Sequence, residues 1–138
     1  MSAEKNRFEA KRWLDTATED LEAADILRRN NKYSHCCFLC QQSAEKALKS
    51  IFYLHDLDPW GHSIVNLISE LELQNEKDYT FLKEFVNDAR KLDRFYIPTR
   101  YPNGLPDITP SKAFGEDDAM SALAISNKII NKIKEIVG

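Results

Sequence analysis

Apolar residues return along this chain at steps of three and four, the period of one helical face. The strongest stretch runs from Tyr33 to Leu57. Cys37, Cys40, Ala44, Ala47, Leu48 and Ile51 fall on one side of it, and Gln42, Lys46 and Lys49 on another, with Tyr53 one turn further on. It contains no Gly or Pro, and Glu45 precedes Lys49 by four residues, the favourable order for an ion pair on a helix. Ala44 and Ala47 are small, so a second helix can approach closely there. A helix that is apolar on one side and polar-aromatic on another serves both a core and a site or partner. Upstream, a first helix is expected from about Phe8 to Arg29, with Ala10, Leu14, Ala17, Leu21, Ala24 and Leu27 as its stripe and Trp13 closing one end of the core. The polar residues 1–7 are expected to fray. Asn30-Asn31-Lys32 reads as a short turn, because Asn tolerates the left-handed conformation that ends helices, and so short a link makes the first two helices antiparallel neighbours.

Asp58-Pro59-Trp60-Gly61 is a turn by composition. A short third helix should carry Ile64, Leu67, Ile68 and Leu71 inward. The polar run Gln74–Asp78 follows, with Asp78 as the N-cap of a fourth helix that reaches about Tyr96 and buries Phe81, Phe85, Ala89 and Leu92. From Ile97 to Gly115 the character changes. Pro98, Pro102, Pro106 and Pro110 recur every four residues, which forbids a regular helix and predicts a long loop. Ile97, Tyr101, Leu105 and Ile108 are expected to pack that loop down. A last helix spans Glu116 to Val137, with acidic residues at its positive N-terminal end and Ala122, Ile125, Ile129, Ile133 and Ile136 as its seam. No strand, repeat or domain boundary is legible. The pattern predicts an all-α protein: an up-and-down four-helix bundle with one short extra helix and a long proline-rich loop before the last helix, forming a single domain over residues 1–138.

Composition bounds what such a bundle does. A chain of 138 residues can bury a sizeable core without disulfides or metals. No apolar run approaches the ~20 residues that span a bilayer, and Met-Ser-Ala-Glu-Lys-Asn-Arg at the start has no apolar signal segment, so a cytoplasmic protein is expected. A net charge of −3 argues against a broad nucleic-acid surface but leaves room for a local basic pocket. Arg90, Lys91, Arg94 and Arg100 interleave with Phe95, Tyr96 and Tyr101, where positive charge and aromatic rings concentrate together. A solvated helix face followed by a loop accounts for this segment equally well.

Cys36, Cys37 and Cys40 include a Cys-x-x-Cys spacing, but a zinc site needs four ligands and no second pair exists. Buried reduced thiols are expected, with no metal, disulfide or cofactor. His35, His55 and His62 all lie in the first half. His62, after the Pro-Trp-Gly turn, is placed to cap the third helix or bridge to a loop, and His55 to pack or hydrogen-bond in the core. No Gly-rich phosphate loop, Walker pattern or nucleophile elbow is present.

The run Tyr33-Ser-His-Cys-Cys-Phe-Leu-Cys-Gln-Gln-Ser-Ala-Glu-Lys-Ala-Leu-Lys resembles the second helix of HEPN domains, small helical domains found mostly in prokaryotes. Trp13-Leu14 with Asp20-Leu21, His62, and Arg100-Tyr101-Pro102 agree, so the resemblance covers nearly the whole chain. Many HEPN domains are metal-independent ribonucleases that pair, across a dimer, an Arg followed four to six residues later by a His. Here Arg100 is followed by Tyr-Pro-Asn-Gly-Leu-Pro, and no His occurs after His62. Arg29 and His35 have the spacing but fall at the first turn, outside the matching region. Acid–base cleavage needs a group titrating near neutrality, which the late loop lacks. The sequence therefore resembles the non-nuclease branch, whose members sit beside a small nucleotidyltransferase or bind nucleotides.

That resemblance implies a homodimeric module for a nucleotide or similar phosphate ligand, acting with a small nucleotidyltransferase as a toxin–antitoxin-like pair. The alternative is a divergent RNA-cleaving toxin. Phe38, Phe52 and Ile130 lie off the core stripes, a surplus that fits a dimer interface. The ligand site is expected where the long loop crosses the polar face of the second helix. Lys46 and Lys49 would meet an anion there and Arg100 would offer planar paired donors, with Tyr96, Tyr101 and Asn103 flanking it and His62 completing the wall. The competing role for Arg100 is a tie to the fourth helix through Asp93.

Overall fold

The computed structural model describes residues 2–74 and 78–138. Within them the chain is helical and has no strand: α1 (Ala3–Arg29), α2 (Tyr33–Leu54), α3 (Ile64–Glu72), α4 (Val86–Asp93), α5 (Pro110–Ala113) and α6 (Glu116–Val137). The expected all-α bundle is the architecture observed. Asn75, Glu76 and Lys77, in the polar run before the fourth helix, lie outside the described residues.

α1 begins five residues earlier than its apolar stripe announces. Ser2 caps it, its Oγ accepting from the Lys5 amide, and Glu4 sits in the first turn, so residues expected to fray are wound into helix. Asn31 closes the other end in the left-handed region, with φ 63°. α2 is the central helix, and α1 and α6 pack along it. Its core face is built of small residues, as its pattern predicts: Cys36, Cys37, Cys40, Ala44 and Ala47 are fully buried. Close approach lets buried hydroxyls cross between helices. Ser43 donates to the Ala17 carbonyl of α1 at 2.7 Å, and Ser126 of α6 donates to the Cys40 carbonyl at 3.0 Å. Burying Leu48 and Ile51 beside them contributes on the order of 1.5–3 kcal/mol each.

The fourth helix is shorter than its stripe suggests. Thr80–Phe85 winds as a 3-10 helix, in which residues three apart eclipse, and this puts Leu82 and Phe85 together in the core. Asp78 does act at its start, accepting from both the amide and the hydroxyl of Thr80, which holds its carboxyl below the usual carboxylate range. In the proline-rich segment, Pro110 occupies the first turn of α5, where a missing N–H costs nothing, so one turn of helix forms where the prolines predicted none. Ile97, Tyr101 and Ile108 are exposed rather than packed down. The anchors are Thr99, 2% exposed and bonded to the Phe95 carbonyl, and Phe114, edge-on to Phe95.

Two residues assigned to a surplus surface belong to the core instead. Phe52 and Ile130 are buried against neighbouring helices, because both long helices are covered on more than one side. Trp13 is half-buried and stacks on Tyr53 at 4.9 Å, covering the edge of the α1–α2 seam. Among the described residues no helix is long and apolar enough to cross a membrane.

Candidate functional site

The polar face of α2 divides into three parts. At its middle, Gln41, Glu45 and Lys49 are all buried. The Glu45 carboxylate accepts from Lys49 Nζ at 3.1 Å and faces His62 Nδ1 at 3.3 Å, while Gln41 Nε2 donates to the His62 carbonyl at 2.9 Å. This set binds α2 to the start of α3. His62 thus does not cap α3. Ser63 does, assisted by Asp93, whose carboxylate accepts from Ser63 Oγ and from the amides of Ile64 and Val65. A second part lies at Lys46, which pairs with Asp20 of α1 at 2.7 Å beside Trp13.

The third part is the start of α2, where the long loop meets it. Arg100 lies with its guanidinium carbon 4.4 Å from the Phe38 ring centre, 4.5 Å from Tyr96 and 5.1 Å from Tyr101. Its Nε donates to the Tyr96 carbonyl at 2.8 Å. Among the described residues its two Nη groups have no hydrogen-bond acceptor, and no carboxylate lies within ion-pair distance. Asp93 does not hold it, since that carboxylate is committed to α3; the tie to the end of α4 runs through the Tyr96 carbonyl and ring. Beside Arg100 opens a cleft of about 460 Å³, lined by Ser34, His35, Phe38, Thr99, Tyr101 and the Thr109–Ser111 segment. Among the described residues no acidic side chain lines it.

The expected site residues are therefore partly brought together. His62 stacks on Tyr96 at 4.9 Å, and Tyr96 in turn packs on Arg100, so His62, Tyr96, Arg100 and Tyr101 form one continuous aromatic-cationic surface. Lys46 stands apart from it, and Lys49 meets it only through Glu45, whose carboxylate it shares with His62. The loop meets α2 from Ser34 to Phe38, and Lys46 is eight residues beyond Phe38, about 12 Å at helical rise. Asn103 is exposed in a 3-10 turn and makes no side-chain hydrogen bond among the described residues. Sequence reasoning missed Phe38 as a partner of Arg100 and Ser34 and His35 as members of its cleft. The available signal was Lys32-Tyr33 at the head of α2, which provides no side-chain cap.

The three cysteines are buried and unbridged. Burial pushes the Cys37 thiol up to about 12, so it stays neutral, and Cys36 and Cys40 share a hydrogen bond that lowers the first and raises the second. Among the described residues no cluster of His, Cys, Asp and Glu is placed to hold a metal ion.

Comparison with known proteins agrees with this architecture. The HEPN domain family matches residues 10–136. A curated relative, "Putative toxin MJ1304" of Methanocaldococcus jannaschii, is 25% identical over 134 residues, covering 93% of this chain and 88% of its own. The crystal structure of TT1696 from Thermus thermophilus superposes with a TM-score of 0.84 at 33% identity, covering 92% of this chain and 97% of that one. That of ST0689, an archaeal HEPN homologue, gives 0.75 at 30% identity, covering 94% and 98%. With its helix order, its α2 sequence and nearly its full length matched, this chain belongs to the HEPN domain family.

Proposed function

We propose that this protein is a homodimeric binding module for a nucleotide or similar phosphate ligand, acting with a small nucleotidyltransferase partner in a toxin–antitoxin-like pair. The observation that carries the ligand reading is Arg100: a planar cation held among three aromatic rings, at the lip of a cleft, with no carboxylate to neutralise it among the described residues. Preorganised, unspent donors next to stacking surfaces suit a phosphate joined to a base. The toxin relative gives the biological frame. Support for self-association comes from an apolar groove of about 680 Å³ between α1 and α6, where Ile26 and Met120 are about half exposed. A thermal-shift screen of nucleotides, followed by titration of the parent and Arg100→Ala, tests the ligand reading. Light scattering at high micromolar concentration tests the dimer, and a monomer there would contradict it.

One observation favours a second reading, a divergent RNA-cleaving toxin. His35 lines the same cleft as Arg100, so an Arg and a His share one cavity although the late loop supplies no His. Cleavage of RNA by the parent, lost in both His35→Ala and Arg100→Ala, would select this reading over the binding module.

A further inference from the structure

The start of α2 carries more unspent hydrogen-bond donors than its role in the bundle needs. Lys32 provides no side-chain cap, and the first intrahelical bond runs from the Cys36 amide to the Lys32 carbonyl. The amides of Tyr33, Ser34 and His35 therefore precede the ladder, and none has a partner among the described residues. Ser34 is 2% exposed, yet its hydroxyl makes no hydrogen bond among the described residues, and it lines the Arg100 cleft. That oxygen is not sealed from solvent, so a ligand oxygen can take the place of water on it. The Thr109 and Ser111 hydroxyls, 3.1 Å apart, belong to the same lining. Glu116 also reaches this end of α2, but it is bonded by the Tyr33 hydroxyl and lies outside the lining.

We infer that this cleft is the phosphoryl subsite: it takes a phosphate monoester group between the open amino end of α2, the Ser34 hydroxyl and the Nη groups of Arg100. The inference rests on the phosphate-ligand reading above and specifies where the charged end of the ligand sits. A helix amino end attracts anions through its free N–H groups and its dipole, and the Arg fork adds paired donors to two oxygens. With no carboxylate among the described residues of the lining, none of them repels the anion. The exposed ring of Tyr101, 51% open, is left at the mouth for the uncharged remainder of the ligand.

The test is a titration of the isotope-labelled protein with inorganic phosphate, adenosine 5′-monophosphate and adenosine, following backbone amide signals. Phosphate and the monophosphate should shift the Ser34 and His35 amides, and adenosine should leave them in place. Ser34→Ala should weaken phosphate binding several-fold. His35→Glu puts an acidic side chain in the first turn of α2, where it suits the helix and opposes the ligand. It should weaken binding by about tenfold or more with the melting temperature unchanged or raised. If the monophosphate binds while the Ser34 and His35 signals stay still, the subsite is overturned and the broader ligand reading stands. If phosphate binds equally well to His35→Glu and Ser34→Ala, the inference falls. If none of the three probes binds, the subsite and the phosphate-ligand reading fall together.

Discussion

Two polar regions of α2, a few turns apart, differ in what they have left to offer. Around Glu45 every charge is answered from within the chain: Lys49 and His62 meet the carboxylate, and Gln41 bonds the His62 backbone. Around Ser34 the amides, the Ser34 hydroxyl and the Arg100 fork have no acceptor among the described residues. The first region resembles a site in the sequence because it concentrates charge. The second resembles one in the structure because its donors are unspent. A ligand gains binding energy where it supplies a missing partner, and it gains little where a lysine must first abandon a carboxylate.

Substitutions that strip one region and spare the other can break this contrast. The largest effect is expected at Glu45. Glu45→Ala leaves Lys49 buried without its counter-charge and should lower unfolding free energy by about 3–5 kcal/mol, read from the urea midpoint. If that variant keeps its stability but loses ligand, the internal network is the site and the contrast is inverted. Asp93→Ala removes three bonds at the head of α3 and should cost about 0.5–2 kcal/mol, while ligand affinity holds, because Asp93 does not secure Arg100. An affinity loss with a small stability change would restore an indirect tie between the two. Lys46→Ala breaks a partly exposed pair with Asp20 and should cost less than about 1 kcal/mol, again without effect on binding. A fall in affinity there would extend the site along α2 as its sequence pattern suggested.

The helices were legible because burial writes itself into the order of residues. Ala10, Leu14, Ala17 and Ala24, Cys37 to Ile51 and Ala122 to Ile133 lie inside as their spacing predicts, while Leu21 is only partly buried at the α1–α6 groove. Ends were harder to read. Ser2 caps α1 ahead of the apolar stripe, and Pro110 starts a helix that a count of prolines argues against. The candidate site was half legible. Arg100 with Tyr96 and Tyr101 stands out as a local concentration of charge and rings, and His62 joins them through the Tyr96 ring. Pairing partners do not show in one dimension. Asp20 meets Lys46 from another helix, and Ser34 and His35 share a cleft with Arg100 from sixty-odd residues away. Phe52 and Ile130 mislead in the same way, since a residue off one stripe can face a second neighbour.

The central claim, that Arg100 is a ligand donor and not a brace, is tested most directly by calorimetric titration of the parent and Arg100→Ala with the nucleotide selected by thermal shift. A charge-assisted contact of about 1.5–3 kcal/mol predicts a ten- to hundredfold loss of affinity, with the melting temperature within a few degrees of the parent. Unaltered affinity in a folded variant would contradict the claim, and a melting temperature lowered by many degrees would assign Arg100 to holding the loop against α4.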